Sequence, residues 1–348
     1  MAKEKKEVVK KEEEFDIQKL ATKLKKTYGS LKVAADEIET IEFISTGNKS
    51  LDLSLGGGIN LENCVELSGF SSSGKTTLMQ CMLADMQKKY NAVGIWLDRE
   101  NAYYNDRSEF LGIDNKNVIK FKPADIPTIP DATQALVETL SNIPKETYKF
   151  IGIDSMAAFD DTSKYNKADM GKNASHKHRL FRRILPFVDE RTLFVFCNQR
   201  TYKPGVMFGD PTTTAGGTAG KYFTSYRIQL DEGKEIKDDK LGGESVGNYV
   251  KAKIIKTRSG PKMRSVIIQH FFKDGIPYLS GYIRLLVDRN ILQPKNKAEF
   301  KAFKNEIILY KDKKLKEYDV EQILKDYPEL NFDTYPEYNI EEEENASE

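Results

Sequence analysis

Residues 69 to 76 read G-F-S-S-S-G-K-T and stand between an apolar strand pattern (Cys64, Val65, Glu66, Leu67) and a helical one (Thr77, Leu78, Met79). A glycine-bearing turn from a strand directly into a helix commits the chain to an α/β layer arrangement, because the strand needs neighbours and the helix must cover them. The same turn points successive backbone N–H groups inward at the positive end of the helix, where phosphate oxygens collect. Gly69 and Gly74 permit the turn, and Phe70, Ser71, Ser72 and Ser73 line it. Lys75 supplies a mobile cation for β and γ phosphates, Thr76 offers a hydroxyl to Mg²⁺, and Thr77 continues the helix. The segment reads as an ATP site; a chance serine-glycine turn is the bland alternative.

The strand-helix alternation continues. Apolar strand runs occupy Ala92 to Leu97, Val118 to Phe121, Phe150 to Ile153, Leu193 to Cys197, Tyr226 to Leu230, Val250 to Ile255 and Val266 to Phe271. Helical patterns occupy at least Thr77 to Tyr90, Asp131 to Ile143 and Lys177 to Leu185. Continuously apolar strands separated by helices predict a mostly parallel twisted sheet covered on both faces, and the last strands, which lack intervening helices, predict an antiparallel extension. Ahead of this core, Phe15, Ile17, Leu20, Ala21, Leu24 and Tyr28 share one helical face, which packs either on its own core or on a neighbouring subunit. The expected organisation is a charged arm and oligomerisation helix over 1–35, an ATPase and DNA-binding core over 36–276, a small basic C-terminal lobe of short helices over 277–335, and an acidic tail over 336–348.

Charge sharpens that division. Residues 317 to 348 hold twelve acids and one lysine, a net of −11, so the remaining 316 residues carry +12. A basic body suits a polyanion partner whose surface the tail can contest, unless the tail is only a solvated terminus. No apolar run reaches the roughly 20 residues that span a bilayer, and M-A-K-E-K-K is too charged for a signal peptide, so a cytoplasmic protein without membrane contact is expected. Three cysteines and three histidines show no metal-ligand spacing.

Other chemistry falls at strand ends. Asp154 closes the run Y-K-F-I-G-I-D, where a carboxylate can hold Mg²⁺ through water. Glu100 follows V-G-I-W-L-D and can orient or deprotonate an attacking water, with Asp98 as the rival. Asn198 and Gln199 follow T-L-F-V-F-C and can hydrogen-bond a γ-phosphate. Arg200 to Gly220 shows no helical or strand period, and loops of that length are usually functional or disordered.

Together I-S-T-G-N-K-S-L-D (44 to 52), the phosphate loop, D-R-E-N-A (98 to 102), I-D-S-M-A-A (153 to 158), N-Q (198 to 199) and G-V-M-F-G-D-P-T-T-T-A-G-G (205 to 217) closely resemble the RecA family of recombinases, including phage UvsX-type members. The resemblance implies that Glu100 is the catalytic glutamate and Gln199 the γ-phosphate switch. It makes residues 200 to 220 the second DNA-binding loop, with Arg200, Phe208, Gly209, Thr212, Thr213, Thr214, Gly216 and Gly217 as DNA contacts. The stretch from Asp160 to His178, without regular pattern, resembles the first DNA loop and leads into a basic helix with Arg179, Arg182 and Arg183. Arg107 occupies the position where bacterial relatives stack a tyrosine on adenine. Lys256 and Arg258, in I-I-K-T-R-S, resemble the basic pair that reaches a neighbour's phosphates.

These expectations amount to a DNA-dependent ATPase, with ATP and Mg²⁺ as cofactors, that forms helical filaments on single-stranded DNA. It would pair that strand with duplex DNA, assisted by single-strand-binding and mediator proteins, in a bacterial or phage-infected cell. A helicase or translocase on the same fold, and an ATP-binding DNA scaffold or mediator without turnover, are the alternatives.

Overall fold

A computed structural model describes residues 16–28, 43–159, 167–202, 212–214, 219–238, 242–258, 260, 262–293, 307–310, 313–316 and 320–332. The chain forms two compact units, Met1–Glu42 and Phe43–Glu348. In the first, α1 (Ile17–Tyr28) begins where Asp16 Oδ1 accepts from the backbone of Gln18 and Lys19, closing helix donors that otherwise lack partners.

The second unit runs β1 (Phe43–Ile44), α2 (Lys49–Leu55), β2 (Ile59–Asn60), β3 (Asn63–Gly69), α3 (Lys75–Tyr90), β4 (Val93–Asp98), α4 (Asn105–Phe110), β5 (Val118–Phe121), α5 (Ile129–Asn142) and β6 (Lys149–Asp154). It continues through α6 (Lys167–Ile184), β7 (Thr192–Tyr202), β8 (Thr212–Thr214), α7 (Ala219–Phe223), β9 (Tyr226–Asp238), β10 (Glu244–Lys256) and β11 (Ser265–Phe271). α8 (Tyr282–Asp288), β12 (Ile307–Tyr310), β13 (Lys313–Lys316) and α9 (Val320–Asp326) follow.

The main sheet has the order β11-β10-β9-β3-β7-β6-β4-β5, with β8 paired to β7. From β5 to β9 every neighbouring pair in that order is parallel, while β10 runs antiparallel to both of its neighbours, β9 and β11. The mostly parallel sheet with an antiparallel extension is therefore as the sequence predicts.

Period-2 alternation explains how both faces are covered. Along β7, Leu193, Val195 and Cys197 pack with Leu78, Met82 and Met86 of α3, whereas Phe194 and Phe196 join the cluster of Leu136 from α5 and Leu180, Phe181 and Ile184 from α6. Each such fully buried side chain contributes about 1.5–3 kcal/mol through removal from water. α5 starts on a capping box, with Thr128 and Asp131 satisfying each other's backbone donors. Ile283, Leu286, Val320, Ile323 and Leu330, from α8, α9 and the turn after it, lie in the same apolar cluster as α3.

Three expectations need correction. The stretch from 160 to 178 is not patternless, since α6 already begins at Lys167; the core residues Leu180, Phe181 and Ile184 lie in its last two turns, and a helix once nucleated there extends toward its N-terminus. Nor does 200 to 220 lack strand character. β7 runs on to Tyr202, and Arg200, Thr201 and Tyr202 pair with Thr214, Thr213 and Thr212 of β8, where β-branched threonines favour the extended chain. The C-terminal region adds an antiparallel hairpin, β12 with β13, to its short helices. α2 and α4 escape periodicity because they are only 7 and 6 residues long.

Candidate nucleotide site

The parallel register delivers the polar strand ends to one edge: Gly69 lies opposite Gln199, and Asp98 opposite Asp154. The chain turns sharply there. A Cβ added at Gly69 would collide with the Leu230 carbonyl and the Ser73 hydroxyl, and Gly74 holds φ +82°, a left-handed conformation that side chains disfavour. The resulting cleft, about 430 Å³, is lined by Ser71 through Thr77 and by Glu100, Arg107 and Gln199 among others.

Lys75 is 8% exposed, and its Nζ donates to Phe70 O at 2.6 Å and Ser73 Oγ at 3.4 Å, which folds the cation over the loop. Thr76 Oγ1 donates to Asp154 Oδ2 at 2.6 Å. Burial pushes the Asp154 carboxyl up to about 6; the Thr76 hydrogen bond opposes this, and the Glu100 and Asp98 carboxylates add to it. A hydroxyl and a carboxylate side by side are hard oxygen donors, suited to Mg²⁺, which keeps several waters and takes phosphate oxygens for the rest of its shell. Among the described residues no cluster of three or more His, Cys, Asp or Glu is arranged to hold a metal unaided.

Glu100 is held from two directions. Ser155, just past β6, donates its hydroxyl to Glu100 Oε1, and Gln199 Nε2 donates to the same oxygen at 3.1 Å. Asp98, the rival base, accepts from the backbone of Ala102 at 2.9 Å and Tyr103 at 3.1 Å, so both its oxygens hold the turn that presents Glu100. Asn198 is absent from the cleft lining: its Nδ2 donates to buried Glu66, which pairs with Arg227.

A directed hydrogen-bond chain walls the cleft. Arg107 Nη2 donates to Thr77 Oγ1 at 2.9 Å, and the same oxygen lies 3.1 Å from His270 Nε2. Asn248 sets the tautomer: its Nδ2 donates to Glu232 at 2.9 Å, which leaves Oδ1 to accept from Nδ1–H of His270 at 3.2 Å and Nε2 to accept from the Thr77 hydroxyl. Burial, aided by the Arg107 charge, lowers the His270 pKa to about 4.

Phe70 joins the loop to β7. Its ring stacks on Tyr202 with centroids 5.1 Å apart, and the Arg200 guanidinium lies 5.5 Å over Phe70 while also pairing with Asp231.

The remaining expected residues lie elsewhere. Arg179, Arg182 and Arg183 are exposed on α6. Thr212, Thr213 and Thr214 form β8, while Phe208, Gly209, Gly216 and Gly217 fall outside the described residues. Lys256 pairs in register with Arg227, and Ala252 with Leu230, beside Gly69. Lys256 thus sits about 13 Å back along the sheet from the phosphate loop, with Arg258 beyond it. Its Nζ donates to Thr224 O at 2.6 Å, and burial, together with Arg227, Arg258 and Lys262, lowers its pKa. Sequence reasoning missed Ser155, Asn248, Glu232 and His270; polar residues interrupting apolar strands were the available signal.

An α/β sheet with a strand-loop-helix phosphate cradle, a Thr–Asp pair and a glutamate held at the strand ends defines a nucleotide-binding protein of the phosphate-loop class. The chain belongs to the RecA family of recombinases, since residues 16–277 match the RecA N-terminal domain. It is 32% identical over 287 residues to the protein RecA of Bacteroides thetaiotaomicron, covering 80% of this chain and 84% of that one. With the protein RecA of Porphyromonas gingivalis identity is 32% over 304 residues, 84% and 86% of the two chains, and with that of Clostridium acetobutylicum 30% over 281 residues, 78% of each. Among the described residues no helix is long and apolar enough to cross a membrane.

Proposed function

We propose that the protein is a DNA-dependent ATPase that polymerises on single-stranded DNA and promotes homologous pairing and strand exchange, acting in the cytoplasm. The observation that supports this best is the Glu100–Gln199 hydrogen bond. The residue that activates water is tied to a strand that continues into Arg200 and Tyr202, at the base of the loop assigned to DNA. Occupancy of one site can therefore bias the other through a single switchable contact.

Hydrolysis rests on positioning and charge neutralisation. The inward N–H groups of Ser71 to Thr76 and the Lys75 cation hold the phosphates of ATP. Mg²⁺, held by Thr76 and through water by Asp154, would neutralise developing phosphate charge. Glu100 orients and deprotonates the attacking water, and Gln199 turns from Glu100 to the γ-phosphate when the triphosphate is bound. Lys256 and Arg258 act on the nucleotide of an adjacent subunit. Exposed Arg179, Arg182 and Arg183 and the loop around Phe208 hold the DNA backbone, with affinity that falls steeply with salt. Residues 1–35 dock on a neighbouring subunit and make a contact that does not close, giving a helical polymer. Within the C-terminal lobe over 277–335, the stretch from Lys295 to Lys316 carries eight lysines against three acids, and the tail over 336–348 competes with DNA for it.

Electron microscopy with single-stranded DNA and a non-hydrolysable ATP analogue tests this. Extended helical filaments are the expected result; closed rings would move the assignment to a translocase, and absence of DNA-stimulated turnover in a parallel assay would move it to a scaffold.

A further inference from the structure

The cleft contains a buried side chain that the phosphate chemistry does not use. Gln80 is 1% exposed and lines the cleft together with Ala102, Tyr104, Arg107, His270 and Phe272. Neither its Nε2 nor its Oε1 meets a hydrogen-bond partner among the described residues. Leaving a buried polar group unmet costs about 1–3 kcal/mol, and a leucine would fill the same space without that cost. Gln80 therefore makes sense at this position only with an occupant that answers both ends of its carboxamide.

Its place on α3 says which part of an occupant that is. Gln80 lies one turn past Thr77 and about 7.5 Å along the helix axis from Lys75, beyond the reach of phosphates seated on the loop. The wall around it changes to match. Tyr104, 65% exposed, and Phe272 offer flat apolar faces, while the Thr77 hydroxyl is already committed between Arg107 and His270. Such a chamber takes the base of a nucleotide.

We propose that Gln80 reads the edge of adenine, with Oε1 accepting from the 6-amino group and Nε2 donating to N7. This is the bidentate pairing a carboxamide makes with adenine, whereas guanine presents two acceptors, O6 and N7, at the same edge. The assignment rests on the triphosphate reading of the loop and adds to it the determinant of base choice.

The test is equilibrium binding of ATP, 7-deaza-ATP, GTP and inorganic tripolyphosphate to the full chain and to Gln80→Leu. A good bidentate pair is worth about 1–3 kcal/mol, so the wild-type chain is expected to bind 7-deaza-ATP and GTP at least about fivefold more weakly than ATP. Gln80→Leu should bind all three nucleotides within about twofold of one another and keep its affinity for tripolyphosphate. Equal binding of ATP and 7-deaza-ATP by the wild-type chain overturns the proposal without any variant having to fold. So does a preference for GTP, which would give the edge to Arg107, the side chain type that pairs best with guanine. Failure of tripolyphosphate and every nucleotide to bind would instead sink the triphosphate reading, and this proposal with it.

Discussion

Gln199 and Glu100 come from strands that do not touch, β7 and β4 with β6 between them, yet Gln199 Nε2 lies 3.1 Å from Glu100 Oε1. The contact spans a strand because the residue that lies between them, Ser155 just past β6, has a short side chain, which donates to the same carboxylate oxygen. A carboxylate held by two neutral donors is oriented, as a general base requires.

Glu100→Gln should lower ATP turnover by about 10²–10⁴-fold while leaving ATP affinity within a few-fold, because only the proton acceptor is removed. Gln199→Ala should act on coupling: the ratio of DNA-stimulated to DNA-free turnover falls about tenfold or more, a loss of roughly 1.4 kcal/mol of coupling free energy. Steady-state turnover with and without single-stranded DNA reads both. A Gln199→Ala chain with an unchanged ratio would remove Gln199 from the switch.

Asp154 predicts a pH dependence that Mg²⁺ reverses. Its folded pKa, about 6, is above the ordinary 3.8, so the folded state prefers the protonated acid. The stability this confers is present below pH 4 and is lost as pH rises through 6, at about 1.4 kcal/mol per pKa unit. At pH 7.5 without nucleotide, Asp154→Asn should therefore melt a few degrees above the wild-type chain, with the gap closing toward pH 4.5. The same variant should lose the stabilisation that Mg²⁺ and ATP together give the wild type. Thermal melts at the two pH values decide; a variant less stable than wild type at pH 7.5 contradicts the burial argument.

His270 has the opposite sign. Its folded pKa of about 4 lies below the ordinary 6.5, so it is neutral in the cleft wall and the unfolded chain binds the extra proton. Its contribution to stability is intact above pH 6.5 and declines as pH falls toward 4, by about 3 kcal/mol in total. Nitrogen-15 NMR of the imidazole should show the Nδ1–H tautomer, as the Thr77 and Asn248 contacts require, with no titration between pH 7.5 and 5. A midpoint near 6.5 would refute the chain from Arg107 to Glu232.

Tyr202 tests whether the loop of the phosphate site feels β7. Its stack on Phe70 is worth about 0.5–1.5 kcal/mol, and Arg200 over the same ring adds a comparable cation–π term. Tyr202→Ala should lower DNA-stimulated turnover about three- to tenfold at saturating DNA, and Tyr202→Phe should restore it because the ring alone is needed. Equal loss in both variants would point to the hydroxyl and against the stack.

Much of this was legible beforehand because long apolar strands and full helical turns carry strong periodic signals. β6 and α3 were read within two residues of their ends, and the strand ends named Asp154, Glu100 and Gln199 as residues of one edge. The phosphate loop was legible because its spacing permits few other geometries. What could not be read depended on partners distant in sequence. His270 and Asn248 are polar residues in β11 and β10 whose roles appear only once those strands lie beside Thr77, 193 residues from His270. β8 exists because three threonines find the end of β7, and the N-terminal half of α6 follows from a helix nucleated further along the chain. Gln80 looked like one polar residue on an ordinary helix until burial left its carboxamide unmatched.

The basic pair provides the strictest test of assembly. β10 runs antiparallel to β9, so it carries Lys256 and Arg258 away from the edge where Gly69 to Thr76 sit, and Lys256 is anchored on Thr224 O at 2.6 Å. Within one chain these cations do not line the cleft with Lys75, so the role proposed for them requires a second subunit. Lys75→Ala and Arg258→Ala should each be nearly inactive alone, one lacking the phosphate cradle and the other the cation offered to its neighbour. Mixed in equal amounts before DNA is added, random co-assembly joins an intact loop to an intact neighbour at about one interface in four, so turnover should recover to roughly a quarter of wild type. Recovery absent in filaments shown by microscopy to contain both variants would place Arg258 outside the trans site, and the monomer would then have to complete its own.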